Sequence, residues 1–226
     1  MTIQTVNSLT EALSLFNRKE RNLLLRSTVE FSGVTPTLSG AFCKSVNDLL
    51  ELDTEVQPTS WWATDYHISW IAGAFAVYLN DKIALTVGRE NPTVVEIDRR
   101  LVEGNQEDVD LIIATAQHLI LVEAKGHGAW DSSQLASKIK RLNLVHAYYK
   151  SNLPPIERQI TFHFLLTSRR SPPAALPERL AWDQGIEPPW LPIEIDADTQ
   201  FLTVSRCDNA GFPSASGKRW VVLKTS

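Results

Sequence analysis

The stretch Asp108-Val-Asp-Leu-Ile-Ile-Ala-Thr-Ala-Gln-His-Leu-Ile-Leu-Val-Glu-Ala-Lys125 decides the fold. Two runs rich in Ile, Leu and Val flank a short polar break, the pattern of a β-hairpin. Paired residues in a hairpin share one index sum, so a turn at Ala116-Gln117 sets Thr115 opposite His118 and Asp110 opposite Glu123. Directly opposed side chains have Cβ atoms roughly 4.5–5.5 Å apart. Glu123 and Lys125 are two residues apart and share a face. The hairpin therefore gathers two carboxylates and an ammonium at one end. The turn chemistry is unusual, because Ala-Gln is not the Asn-Gly or Asp-Gly that a tight primed turn prefers.

Two facing carboxylates raise each other's pKa unless a positive charge lies between them. A hard divalent cation suits that place, and Mg²⁺ commonly takes one or two carboxylates together with substrate phosphates. A neighbouring lysine is suited to orient or deprotonate a water, or to stabilise charge on a phosphate. These parts make up a kit for metal-assisted phosphodiester hydrolysis.

Asp110, twelve intervening residues and then Glu123-Ala124-Lys125 resemble the signature of the PD-(D/E)xK nuclease superfamily, the restriction-endonuclease-like proteins. The residue before Asp110 is Val109 where the literal motif has Pro. The resemblance implies that Asp110 and Glu123 bind Mg²⁺ or Mn²⁺, and that Lys125 assists the attacking water. It implies DNA as the polymer, with RNA left open. In some families with this fold a Gln on the helix after the hairpin is also a site residue. Here that residue is Gln134, for which capping its own helix is the equal alternative.

The flanking pattern extends the expectation. Residues 59–80 read as one helix that carries Asp65 and His67, with its apolar half against the sheet. Val94 to Val102 alternates as a strand with Glu96, Asp98 and Arg100 on one face. Laid beside the Asp110 strand, it adds Glu96 as a third carboxylate; cross-strand charge pairing is the plainer alternative. Asp131-Ser-Ser-Gln134 caps a helix over residues 132–150, and Gln159 to Thr167 is a buried strand. A β-α-β crossover joins the last two strands and is expected to be parallel. The order helix, three strands, helix, strand gives an α/β fold with a restriction-endonuclease-like αβββαβ core, a mixed sheet flanked by helices.

Composition bounds the rest. At 226 residues and 43% hydrophobic, the chain is expected to be a single domain over 1–226. It comprises a helical extension (1–57), a core (58–170), and a Pro-rich wrap with two closing strands (171–226). The extension opens with the capping-box pattern Ser8-Leu-Thr-Glu11, then a helix to about Arg26, then a second over Gly40 to Leu52. Two distant cysteines, Cys43 and Cys207, and the lack of a signal peptide suggest a cytoplasmic protein. The longest apolar run, Ile68 to Leu79, is too short to span a bilayer. A net charge of −4 argues against indiscriminate nucleic-acid binding. Charge changes sign along the chain, however. Glu90 to Glu123 holds eight acidic residues and two basic ones, while Asp131 to Arg170 holds seven basic and two acidic. Lys138, Lys140 and Arg141 are therefore candidates to contact a nucleic-acid backbone, against a merely solvated helix face. A double-strand cutter needs two sites and so implies a homodimer. A non-catalytic nucleic-acid-binding module and a structural or interaction protein remain the other classes.

Overall fold

A computed structural model describes residues 6–16, 19, 37–79, 107–126, 130–172, 178–182, 188–193 and 202–224. By its own contacts the chain divides into two compact units, Met1–Ile193 and Glu194–Ser226, where the sequence reads as one domain.

The first unit is built on a five-stranded mixed sheet. Its strands are β1 (Trp61–His67), β2 (Asp108–Ala114), β3 (His118–Lys125), β4 (Thr161–Ser168) and β5 (Trp190–Pro192), and they lie side by side in that order. The β1–β2 and β2–β3 pairs are antiparallel, whereas β3–β4 and β4–β5 are parallel. The helices are α1 (Leu9–Ser14), α2 (Gly40–Leu50), α3 (Ile68–Tyr78) and α4 (Ser132–Ser151).

The β2–β3 register is the expected one, with Leu111 opposite Val122 and Ala114 opposite Leu119. Side-chain alternation then fixes the layers. Ile112, Ala114, Leu119 and Leu121 share a core with Leu9, Leu13, Phe75, Ile139 and Leu142, so this face is covered by α1, α3 and α4. Ile113, Ile120, Val122 and Leu165 pack with Cys43 and Val46 of α2 on the other face. The result is an α/β molecule whose sheet is flanked by helices on both sides.

Two expectations change. Residues 59–80 are not one helix: Trp61–His67 is a strand and only Ile68–Tyr78 is helical. Trp, Thr and Tyr fit a pleated, half-buried surface, and pairing with β2 satisfies their backbone. The helix starts at His67, which makes no side-chain cap bond. Its first free N–H is met from outside, by Ile68 donating to the Glu107 carbonyl at 3.0 Å. Second, the edge of β2 expected to receive the Glu96 strand is filled by β1. Glu96 and the rest of 94–102 lie outside the described residues, as does most of the 17–26 stretch.

α1 is capped by Ser8, whose Oγ accepts from Glu11 N, while Glu11 Oε2 accepts from Asn7 N rather than from Ser8 N. α3 is buried on almost every side, which explains a sequence apolar all round. In the second unit β6 (Leu202–Cys207) and β7 (Arg219–Lys224) form an antiparallel two-stranded sheet. No helix among the described residues is long and apolar enough to cross a membrane.

Candidate active site

The carboxyl end of β3 and the start of β2 form the candidate site. Their backbone register runs down to Leu111↔Val122. One step beyond, Ala124 N–H donates to the Asp110 carboxylate at 2.7 Å. The Asp110 side chain therefore bridges to the neighbouring strand, on the face that carries Glu123 and Lys125. By continuation of the β1–β2 register, Asp65 falls opposite Asp110, and Asp65 has a left-handed backbone with φ 50°. A non-glycine residue held there is strained and is a common mark of functional sites. Asp65 and His67, expected on a helix, both belong to β1.

Glu123 is a strongly perturbed carboxylate. Its side chain is 12% exposed, and burial pushes its pKa up to about 7. Lys138 pulls it back down, and the charges of Asp110 and Glu107 push it further up. Glu123 Oε1 accepts from Lys138 Nζ at 2.5 Å. Glu123 Oε2 is buried and has no hydrogen-bond partner among the described residues.

Neighbouring carboxylates carry their own cations. Asp108 is held by Lys19 at 2.6 Å and contacts His67, and Glu107 lies 3.6 Å from Arg141. Asp110, by contrast, has no ion-pair partner among the described residues, and neither does the half-exposed Lys125 ammonium. Lys125 is close enough to Asp131 to lower that carboxylate's pKa, after the bonds Asp131 accepts from Ser133 and Gln134.

Asp110 and Glu123 come close enough for their charges to act on each other, while Lys125 lies two residues beyond Glu123 on the same face of β3 and acts on Asp131. Gln134 lies exposed in the first turn of α4, where Asp131 is the cap and accepts Gln134 N–H at 3.1 Å. Lys138 is not a surface contact for nucleic acid: it is 3% exposed and its ammonium is committed to Glu123. Lys140 is exposed and lies 3.5 Å from Glu178, while Arg141 is largely buried against Glu107. The signal for Lys138 was in the sequence. It occupies a place in the buried stripe Leu135, Lys138, Ile139, Leu142, Val145, Tyr149, and a lysine within such a stripe must find a counter-charge.

Comparison with protein-family models, curated proteins and solved structures finds no match.

Among the described residues no group of three or more His, Cys, Asp or Glu side chains is arranged to hold a metal ion. Two carboxylates are available, and Glu123 Oε2 is the buried, unpartnered donor that a cation would satisfy. A hard ion held by two carboxylates would keep waters and substrate oxygens in its remaining positions.

Proposed function

We propose that the chain is a divalent-metal-dependent nuclease that hydrolyses DNA phosphodiester bonds on a restriction-endonuclease-like variant of its α/β core. The observation that carries this reading is the meeting of Asp110 and Glu123 across adjacent strands, with a buried Glu123 oxygen left without a partner. The hairpin, crossover helix and parallel strand support the fold reading; β1 preceding α3 departs from the expected order.

Asp110 and Glu123 are the residues that would hold Mg²⁺ or Mn²⁺. Such an ion, when bound, neutralises phosphate charge and lowers the pKa of its water. Lys125, with no ion-pair partner among the described residues, orients the attacking water or takes its proton. Lys138 favours the charged form of Glu123 and opposes burial, which nevertheless raises its pKa to about 7. A double-strand cutter would bring two such sites together in a homodimer, and RNA is the alternative polymer.

One observation favours a second reading. Lys138 already neutralises Glu123, which suits a non-catalytic nucleic-acid-binding module or a structural ion pair. Cleavage decides between them. Wild-type protein should cut DNA in Mg²⁺ and not in EDTA, and Asp110→Asn should be inactive while still folded. Full activity in Asp110→Asn removes the assignment.

A further inference from the structure

The β6–β7 hairpin has a chemistry of its own. Its register sets Val204 opposite Val222 and Arg206 opposite Trp220, so Leu202, Val204, Arg206, Trp220 and Val222 share one face. That face is open: Trp220 is 66% exposed, and Leu202, Val204, Arg206 and Val222 are exposed as well. A lone two-stranded ribbon is marginal in water, and a contiguous exposed apolar face marks an interaction surface.

Charge identifies the partner. Residues 202–224 carry Arg206, Lys218, Arg219 and Lys224 against one acid, Asp208, in a chain whose net charge is −4. Arg206, Lys218 and Arg219 are exposed and form no ion pair among the described residues. The Arg206 guanidinium lies 5.7 Å from the centre of the Trp220 ring. An open cleft beside it is lined by Ser205, Pro213 and Ser214. The loop that presents these groups is tightly held. Asp208 Oδ1 accepts from Ala210 N and Phe212 N, Gly211 takes φ 89°, and a Cβ on Gly217 would come 2.1 Å from the Cys207 carbonyl oxygen.

An exposed indole flanked by unpaired cations suits a polyanion that offers flat rings for stacking. A duplex hides those rings in its stack, whereas a single strand presents them. We infer that the β6–β7 hairpin is a docking platform for single-stranded nucleic acid, with bases stacking on Trp220, with Arg206 of the same face on a backbone phosphate and with Lys218, just before β7, on another. The inference rests on the nuclease reading only in taking that strand to be the substrate.

The test is binding without cleavage. The full chain in EDTA is titrated against a labelled oligothymidylate of about 16 nucleotides and a duplex of equal length, followed by anisotropy. Wild-type protein should prefer the single strand. Trp220→Ala should weaken that binding by about 5-fold or more, the loss of one stacked base. Arg206→Glu should weaken it and flatten its salt dependence. Thermal melts confirm that both variants fold, which exposed positions allow.

Unchanged affinity in both variants, or no preference for the single strand, overturns the platform. So does a change of oligomeric state in Trp220→Ala with unchanged DNA affinity, because the face then belongs to a protein partner. Trp220-dependent binding without cleavage in Mg²⁺ would sink the nuclease reading alone, and metal-dependent cleavage with Trp220-independent binding would sink the platform alone.

Discussion

Lys138 Nζ lies 2.5 Å from Glu123 Oε1, with the two side chains 4% and 12% exposed. The pair links the middle of α4 to the carboxyl end of β3. It also acts on the ionisation of Glu123, since burial drives this carboxylate toward the neutral form and Lys138 opposes it.

Lys138→Ala should destabilise the protein by about 3–5 kcal/mol, because Glu123 is then left buried without its counter-charge. Replacing both partners, Glu123→Leu with Lys138→Met, should recover most of that loss. Denaturant unfolding of the two single variants and the double variant measures it. An additive double variant would show that the two residues do not interact.

The raised Glu123 pKa has a direction in pH. With a folded value of about 7 and an ordinary unfolded value, the native state holds a proton that the unfolded state has released. Glu123 therefore contributes stability that is present in acid and lost as pH rises toward 7. In EDTA, wild type and Glu123→Gln should diverge across this window, with wild type losing relative stability toward the upper end. Parallel melting curves from pH 4.5 to 7.5 would contradict the shift.

Histidines give the opposite slope. His146, packed by Phe162, Tyr149 and Trp182, has its pKa lowered by burial to about 4. His163 is lowered to about 4 by burial and by His118, to which it is hydrogen-bonded at 3.0 Å. Their neutral forms contribute stability above the ordinary histidine range that is lost as pH falls toward 4. His146→Phe should remove part of this acid sensitivity. An unchanged acid limb in the melting temperature would refute the assignment.

At the start of α4, Asp131→Ala should cost about 1 kcal/mol, since its carboxylate accepts from Ser133 N and Gln134 N. Gln134→Ala, at an exposed position, should stay within about 0.5 kcal/mol. Thermal denaturation of both variants separates the cap from its neighbour. A larger effect at Gln134 would restore it as a structural cap.

The hairpin was legible because pairing obeys simple arithmetic and because two apolar runs admit little else. α4 announced itself through its cap and stripe, and the parallel β4 through crossover geometry. β1 was not legible as a strand. The boundary at His67 has no capping side chain, and the apolar helix that follows hides the change of period. What holds Trp61–His67 extended is pairing with β2, residues far away in sequence. Lys138 was misread for a related reason. The positive stretch from Asp131 to Arg170 suggests a solvated basic face, and only the helical phase reveals that one of its lysines points inward.

The most direct measurement is cleavage of circular and linear, single- and double-stranded DNA in Mg²⁺, Mn²⁺ or EDTA. Wild-type protein is compared with Lys125→Ala, whose ammonium has no structural partner among the described residues. The account predicts divalent-dependent cleavage by wild type, abolished by EDTA and by Lys125→Ala, with the variant's fold and melting temperature unchanged. Cleavage that persists in EDTA, or full activity in Lys125→Ala, would contradict it, as would the absence of cleavage on every substrate by protein that still binds DNA.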